Sequence, residues 1–544
     1  MNTNDNNAIE DTIAKIKRRR DENPERYQQL EQLLEAAELD DDDQMITDEE
    51  IDDLLEILTE TGLAEMFVER SGDQHKYIRE LGDWVYWENE KWNIDKDGHV
   101  IRSFKQIPTY LKEQRDRIRV RAKACTDEEE QKRLFKKAGS VDGTLKKVRN
   151  KNGIVNTIAL AESEHGVTIP YSQFDTKGHF IGVANGVLDL RNSQLVSGDP
   201  SYLMMRTSPV EFDSDAECPN WLQFLSDVME GDQDKVNLLQ HIAGSMFVGN
   251  TKEKMFIFQG GGANGKSTFV NVIGQVLGAT DAGGYKAIVK PEVFTDKVNN
   301  PEYFLANLKG ARAIFMSETA YDGLLQDTLV KQVVDSEEGL QARVVRGEAF
   351  SFPVIGTIAM LTNNLPKVIS TDNGTWRRLC LVEFNRVFTE NEKDRTLVSK
   401  KLVPELSGIL NWCVEGARQY IKNGHKFEIP EVVEASTLEW RNGEDKIGSF
   451  ISERMVNDGS FIKLTEFYDE FKDWCEMNGQ HPGSVKELRK RLTARGMEVV
   501  NAGSGATARV NGWSLMPSSG ITEVKNHIAR NRGDNQESQL IDYE

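Results

Sequence analysis

The feature that most restricts this chain is the run Gly260-Gly261-Gly262-Ala263-Asn264-Gly265-Lys266-Ser267-Thr268, set directly after the apolar stretch Met255-Phe256-Ile257-Phe258. It satisfies the pattern G-x-x-x-x-G-K-[ST], and the following FVNVIGQVLG repeats its apolar residues at helical spacing. Strand, glycine-rich loop and helix therefore come in the order that a phosphate-binding turn needs. Glycines let the backbone curl until successive N–H groups point at phosphate oxygens, and the helix N-terminus adds a partial positive charge. Lys266 is then placed to neutralise the β and γ phosphates and Ser267 to ligate Mg²⁺, so ATP and Mg²⁺ are the expected cofactors. The bland alternative is a glycine-rich turn followed by an incidental Lys-Ser pair.

A phosphate loop alone does not separate a motor from a small-molecule kinase. Ala313-Ile314-Phe315-Met316-Ser317-Glu318 is a second apolar run ending in an acid, and Glu318 is the candidate catalytic carboxylate, coordinating the metal through water. A third run, Thr357 to Thr362, ends at Asn363-Asn364-Leu365-Pro366. An amide there can hold the attacking water in line with the γ phosphate, and Asn363 is favoured over Asn364; the alternative is two turn residues before a proline. Gly374-Thr375-Trp376-Arg377-Arg378 then offers adjacent arginines before the next apolar run. Either arginine, supplied to a neighbouring subunit's site, would stabilise transition-state charge; the competing reading is a surface salt bridge.

At 544 residues the chain has room for several domains, and its net charge of −21 excludes indiscriminate coating of nucleic acid. Any contact with DNA must be local, in a channel or a small basic module. No window of sequence approaches a membrane-spanning apolar run, and the opening MNTNDNNAIEDT lacks the blocks of a secretory signal, so a cytoplasmic protein is expected. The five cysteines are scattered, without metal-ligand spacing.

Residues 1–60 read as a disordered acidic arm: from Asp40 to Asp53 nine of fourteen residues are acidic and none is basic, so self-repulsion opposes packing unless a basic partner binds. Residues 61–235 read as an α/β domain, with strand-like WVYWENEKWNI and a basic helical middle from Tyr110 to Lys147 that either lines nucleic acid or forms a solvated face. Residues 236–395 form the ATPase domain, 396–445 a helical segment, 446–515 a small module and 516–544 a flexible tail. In the module, Lys486, Arg489 and Lys490 lie on a cationic helix, followed by a turn leading to Arg509. Helix then hairpin suggests a winged-helix-like DNA-binding unit; the alternative is a positively charged helix packed on a ring.

With these residues assembled, the chain resembles superfamily 3 helicases of the poxvirus-type NTPase and of the C-terminal part of phage and plasmid primase-helicases. The likeness runs from about Gly62 to Gly512 and includes Val183-Ala184-Asn185-Gly186-Val187-Leu188-Asp189-Leu190, Cys218-Pro219-Asn220-Trp221, the G-x-N-G-K-S loop, T-N-N-L-P and W-R-R. It implies an AAA+-like core assembling as a homo-hexameric ring around single-stranded or forked DNA, moving 3′ to 5′ in phage or plasmid replication. It also implies a channel hairpin built from Leu340–Val345 returning to Ala349–Phe352, with Arg343 and Arg346 facing DNA and Lys331 on the preceding helix. Before that hairpin the acidic Asp335-Ser336-Glu337-Glu338-Gly339 departs from the family's Gly-rich turn with Asp-Pro. About sixty residues precede the first matching segment, too few for a primase domain, so a separate primase and polymerase are expected partners.

Two rivals remain. A P-loop small-molecule kinase gives no reason for paired arginines after a third strand. An origin-binding initiator with little unwinding would share every motif above.

Overall fold

In a computed structural model of the chain, the described residues are 45–249, 254–290, 305–316, 325, 327–334, 339–343, 349–368, 373–501 and 508–516. They divide into two compact units: one holds residues up to Tyr77 with Trp84–Tyr86 and Ile94–Ile169, the other Ile78–Asp83, Trp87–Asn93 and the chain from Pro170 onward. Among the described residues no helix is long and apolar enough to cross a membrane.

The first unit begins with α1 (Asp48–Glu56) and α2 (Glu60–Ser71). After the strands β1 (His75–Ile78), β2 (Asp83–Glu88) and β3 (Lys91–Ile94) come α3 (His99–Phe104), α4 (Gln106–Ala124), α5 (Glu128–Val148) and α6 (Lys151–Ala161). Helix α1 starts at a capping box in which Thr47 Oγ1 accepts from the Glu50 amide at 3.1 Å and the Glu50 carboxylate accepts from the Thr47 amide at 2.6 Å. Ile46, Ile51 and Leu54 are buried beneath it. Its acids face the cations of α4 and α5: Asp48 pairs with Arg121 at 2.9 Å, Glu50 with Arg117 at 3.4 Å and Asp52 with Lys137 at 2.5 Å.

This corrects the expectation of a disordered arm reaching residue 60. The basic partner that relieves the self-repulsion belongs to the same chain; residues 1–44 lie outside the described residues. In the basic middle, Arg115 and Arg119 share Asp142 at 2.9 Å and 2.5 Å, so these two arginines pair within the helix surface.

The second unit opens with the antiparallel strands β4 (Phe180–Val183), β5 (Gly186–Asp189) and β6 (Gln194–Val196), then α7 (Pro219–Val228) and α8 (Gln233–Val248). Next come β7 (Met255–Gln259), α9 (Lys266–Leu277), β8 (Lys286–Val289), β9 (Ala313–Met316), α10 (Asp327–Val334), the pair β10 (Leu340–Arg343) and β11 (Ala349–Phe352), β12 (Thr357–Thr362), α11 (Asn373–Trp376) and β13 (Leu379–Glu383). Five of these strands form a parallel sheet in the order β13-β7-β12-β9-β8. Both faces are covered, as continuous apolar strands require. Phe256 and Phe258 point into a core with Trp221, Phe269 and Tyr420, while Met255 and Ile257 point into another with Leu340, Phe350 and Trp376.

Helices α12 (Leu406–Lys422) and α13 (Glu431–Glu444) follow, and α12 crosses α8 at backbone contact: a Cβ on Gly244 would meet the Ala417 amide nitrogen at 2.2 Å, and one on Gly416 would meet the Gln240 carbonyl oxygen at 2.2 Å. The chain ends with α14 (Lys446–Arg454), β14 (Met455–Lys463), α15 (Leu464–Met477), α16 (Val485–Ala494), β15 (Val499–Asn501) and β16 (Ala508–Leu515), whose strands pair in the order β14-β16-β15 over a core of their own.

The break between the two compact units falls near residue 169, and Ile181, Leu188, Trp221 and Phe224 share a core with the loop-bearing helix α9. Residues 396–445 are part of that same core, through Cys413 and Tyr420.

A buried guanidinium ties the second unit together. Arg312, 1% exposed, donates to the carbonyls of Phe247 in α8 and of Phe180 in β4, the latter at 2.6 Å, and lies over the Tyr285 ring. Arg312→Met should leave both carbonyls unpaired in an apolar setting and cost about 3 kcal/mol, read as a lowered urea midpoint.

Candidate functional site

Parallel register decides which residues share an edge. Thr362 and Glu383 lie level with Gln259, so the chain leaves β7, β12 and β13 side by side, at Gly260, Asn363 and Phe384. The loop from Gly260 to Gly265 needs positive φ at Gly262 (100°), Ala263 (51°) and Gly265 (85°), which glycine supplies without strain at two of the three. A Cβ on Gly260 would fall 2.0 Å from Asn264 Nδ2 and 2.5 Å from the Phe384 carbonyl oxygen, whereas one on Gly261 would meet nothing within 4 Å. The loop is thus closed underneath and open on top.

Two buried polar side chains hold it. Asn264, 3% exposed, donates from Nδ2 to the Phe384 carbonyl at 3.2 Å. Lys266, 4% exposed, donates from Nζ to the Gly260 carbonyl and to Asn363 Oδ1 at 3.2 Å. The Asn363 carbonyl in turn accepts from Gln259 Nε2 at 3.3 Å. Asn363, favoured over Asn364 on sequence, meets the lysine, while Asn364 is exposed and its carbonyl accepts from the Thr362 hydroxyl. Ser267 is exposed on the open side and Thr268 half-buried. A glycine-rich loop at a helix N-terminus, with an ammonium beneath it and an exposed hydroxyl beside it, has the chemistry that suits a polyphosphate. Glu318 lies outside the described residues; the strand before it ends at Met316, paired with Met360 of β12.

Arg377 and Arg378 sit at the other end of the sheet. Leu379 is level with Met255, so the arginines precede β13 where Lys254 precedes β7, about 20 Å from the loop at strand rise. They differ from each other. Arg378 is 6% exposed and donates to the Gly374 carbonyl, whereas Arg377 is exposed, with no side-chain hydrogen bond or ion pair among the described residues. Arg377 lines a cavity of about 360 Å³ together with Lys254, Arg441 and Glu434. Sequence reasoning missed Arg441, which is on α13 and 63 or 64 positions from the arginine pair, so that only the fold brings it to the cavity.

Strands β10 and β11 pair antiparallel with Arg343 opposite Ala349, as the hairpin expectation requires. Leu340, Ala342, Phe350 and Phe352 turn inward, leaving Arg343 on the exposed face. Arg346 lies outside the described residues, and Lys331 is half-buried on α10. In the C-terminal module Leu488 and Leu492 are buried, so α16 presents Lys486 and Lys490 outward and Arg489 at the margin. Arg509 on β16 lies with its guanidinium 4.9 Å from the Phe461 ring centroid.

A second cavity, about 510 Å³, adjoins the loop at Ala263, Gly265 and Thr268. Helix α7 and residues 388–401 supply its other sides. On its rim a hydrogen bond from Lys401, with others from Thr396, holds the Asp394 carboxyl down to about 2, so this edge stays ionised.

Residues 64–230 match the family model described as D5 N terminal like, and residues 258–378 match a family of unknown function (DUF5906). A protein of Acanthamoeba polyphaga mimivirus named as a helicase is 24% identical over 443 residues, covering 76% of this chain and 45% of its own length. A protein of African swine fever virus named as a primase is 23% identical, covering 56% of this chain and 34% of its own. The fowlpox virus primase D5 is 26% identical over 233 residues, 40% of this chain and 29% of that one. The chain spans less than half the length of these curated relatives. Among solved structures, the A-form apo C-terminal region of NrS-1 matches with TM-score 0.43 at 13% identity, over 82% of this chain and 98% of that one.

The loop's packing yields a contrasted pair of substitutions. Gly260→Ala must displace the Asn264 amide or the Phe384 carbonyl and should destabilise by about 1–3 kcal/mol, whereas Gly261→Ala should stay within about 0.5 kcal/mol. Denaturant titration of both variants checks this.

Proposed function

We propose that this chain, which matches a D5-type family model over residues 64–230 and whose relatives are named as viral helicases and primases, is an ATP-driven DNA helicase of superfamily 3, acting as a homo-hexameric ring on single-stranded or forked DNA. The observation that carries this reading is the division of the site. Lys266 and Asn363 meet at one edge of the sheet, while the exposed Arg377 stands at the opposite edge, out of reach of its own loop. A second copy that presents its Arg377 edge to this loop completes the site, and a closed ring repeats that contact.

The strand order, with the loop-bearing β7 between β12 and β13, supports an AAA+-like core. Lys266 exchanges its bonds to Gly260 and Asn363 for the β and γ phosphates of ATP, which releases the Asn363 amide to orient the attacking water. Glu318 takes up the proton from that water. Ser267, with Glu318 through water, would hold Mg²⁺, which supplies neutralisation of the phosphate oxygens. Arg377 of the adjacent copy stabilises the developing charge, and the buried Arg378 holds the turn that presents it.

DNA is gripped by the β10–β11 hairpin through Arg343 and Arg346, with Lys331 behind it, and translocation runs 3′ to 5′. The C-terminal module acts as a winged helix, with Lys486, Arg489 and Lys490 on the helix and Arg509 on the following hairpin binding backbone phosphates.

Forked-DNA unwinding with Lys266→Ala as control tests the activity. An initiator would bind without separating strands, and a small-molecule kinase would show no stimulation by DNA. Arg377→Ala should lower ATP turnover by about a thousandfold with folding intact, while Arg378→Ala should mainly cost stability, about 1–3 kcal/mol. Mixing Lys266→Ala with Arg377→Ala protein should restore turnover, because hybrid contacts join one intact loop to one intact arginine. Two inactive proteins that stay inactive when mixed would remove the shared site.

A further inference from the structure

We infer that the cavity of about 510 Å³ beside the loop seats the nucleobase of the bound triphosphate, with Phe224, Phe388 and Leu397 as its apolar walls. This deepens the phosphate-site reading above and rests on it. The cavity reaches the loop at Ala263 and Gly265 and the first turn of α9 at Thr268, so a nucleoside attached to phosphates on the loop has this space to enter. Its volume lies in the range of small-molecule sites, which are mostly apolar with a few polar groups at the margin.

Both aromatic walls are fixed to the phosphate loop. Phe224 is 6% exposed and stacked on Trp221 with centroids 5.4 Å apart, and its ring edge would be 3.3 Å from a Cβ on Gly265. Phe388 is delivered by a strap that follows β13 and is tied to the loop three times. Phe384 donates its amide to the Gln259 carbonyl at 2.8 Å, Asn264 donates to the Phe384 carbonyl, and the Phe388 amide donates to the Ala263 carbonyl at 2.9 Å. The distance from Phe388 to the phosphate cradle is therefore set by two backbone bonds and one buried side chain. At the margin, Gln223 and Asp227 stand one turn apart on α7, joined by a 2.8 Å hydrogen bond from Gln223 Nε2 to the Asp227 carboxylate. That leaves acceptor oxygens facing the cavity mouth, suited to ribose hydroxyls or a base amino group.

Calorimetric titration of the full chain with two probes, ADP and inorganic triphosphate, isolates the base. Phe388→Ala should weaken ADP about tenfold or more and leave triphosphate affinity unchanged, and Phe388→Trp should keep ADP affinity. If Phe388→Ala fails to melt cooperatively, Leu397→Ala is expected to give the same split. ADP affinity unchanged in the variant, or both probes weakened equally, overturns the base pocket. Failure of the unsubstituted protein to bind either probe overturns the phosphate site itself, and the base pocket with it.

Discussion

The placement of Lys266 and its described partners hangs from the in-step pairing of three parallel strands. With β12 and β13 both level with β7, the glycine loop, Asn363 and the strap beginning at Phe384 emerge together, and Lys266 finds an oxygen on each side. A slip of one residue would turn Phe256 and Phe258 out of one core and Met255 and Ile257 out of the other, so two sets of buried aromatics oppose it. The register that burial enforces is also the register that aligns the site.

How much of this was legible depends on the range of the interaction. The loop, its strand and its helix are local, and glycine spacing with a lysine-serine pair is enough to read them. The antiparallel strands β10 and β11 were expected from the family resemblance, and their alternating burial agrees with it. The different surroundings of Arg377 and Arg378 were not legible. Adjacent residues of one type differ only in what lies opposite, and that is set by chain more than a hundred positions away for Lys254 and Arg377. Helix α1 escaped for a related reason: its acids look self-repelling until Arg117, Arg121 and Lys137 arrive from other helices.

Charge is handled in the same way throughout. A chain at −21 spends many of its cations on its own carboxylates, as on α4 and α5, whose pairs with α1 and with Asp142 contribute roughly 0–1 kcal/mol each. Lys486 and Lys490, without an ion-pair partner among the described residues, are then concentrated on one helix. Local positive surface on an acidic body permits contact with a phosphate backbone at chosen points while repelling it elsewhere.

The crossing of α8 and α12 bears on where this molecule can be cut. Gly244 and Gly416 let two helices separated by the whole sheet in sequence touch main chain to main chain, with nothing between them that another residue might replace. A fragment trimmed to the span of its recognisable motifs would lose one of these helices and expose the slot meant for the other. The smallest autonomous piece is therefore defined by that seam, and recombination or truncation within this part of the gene would be tolerated outside the two glycines far better than between them.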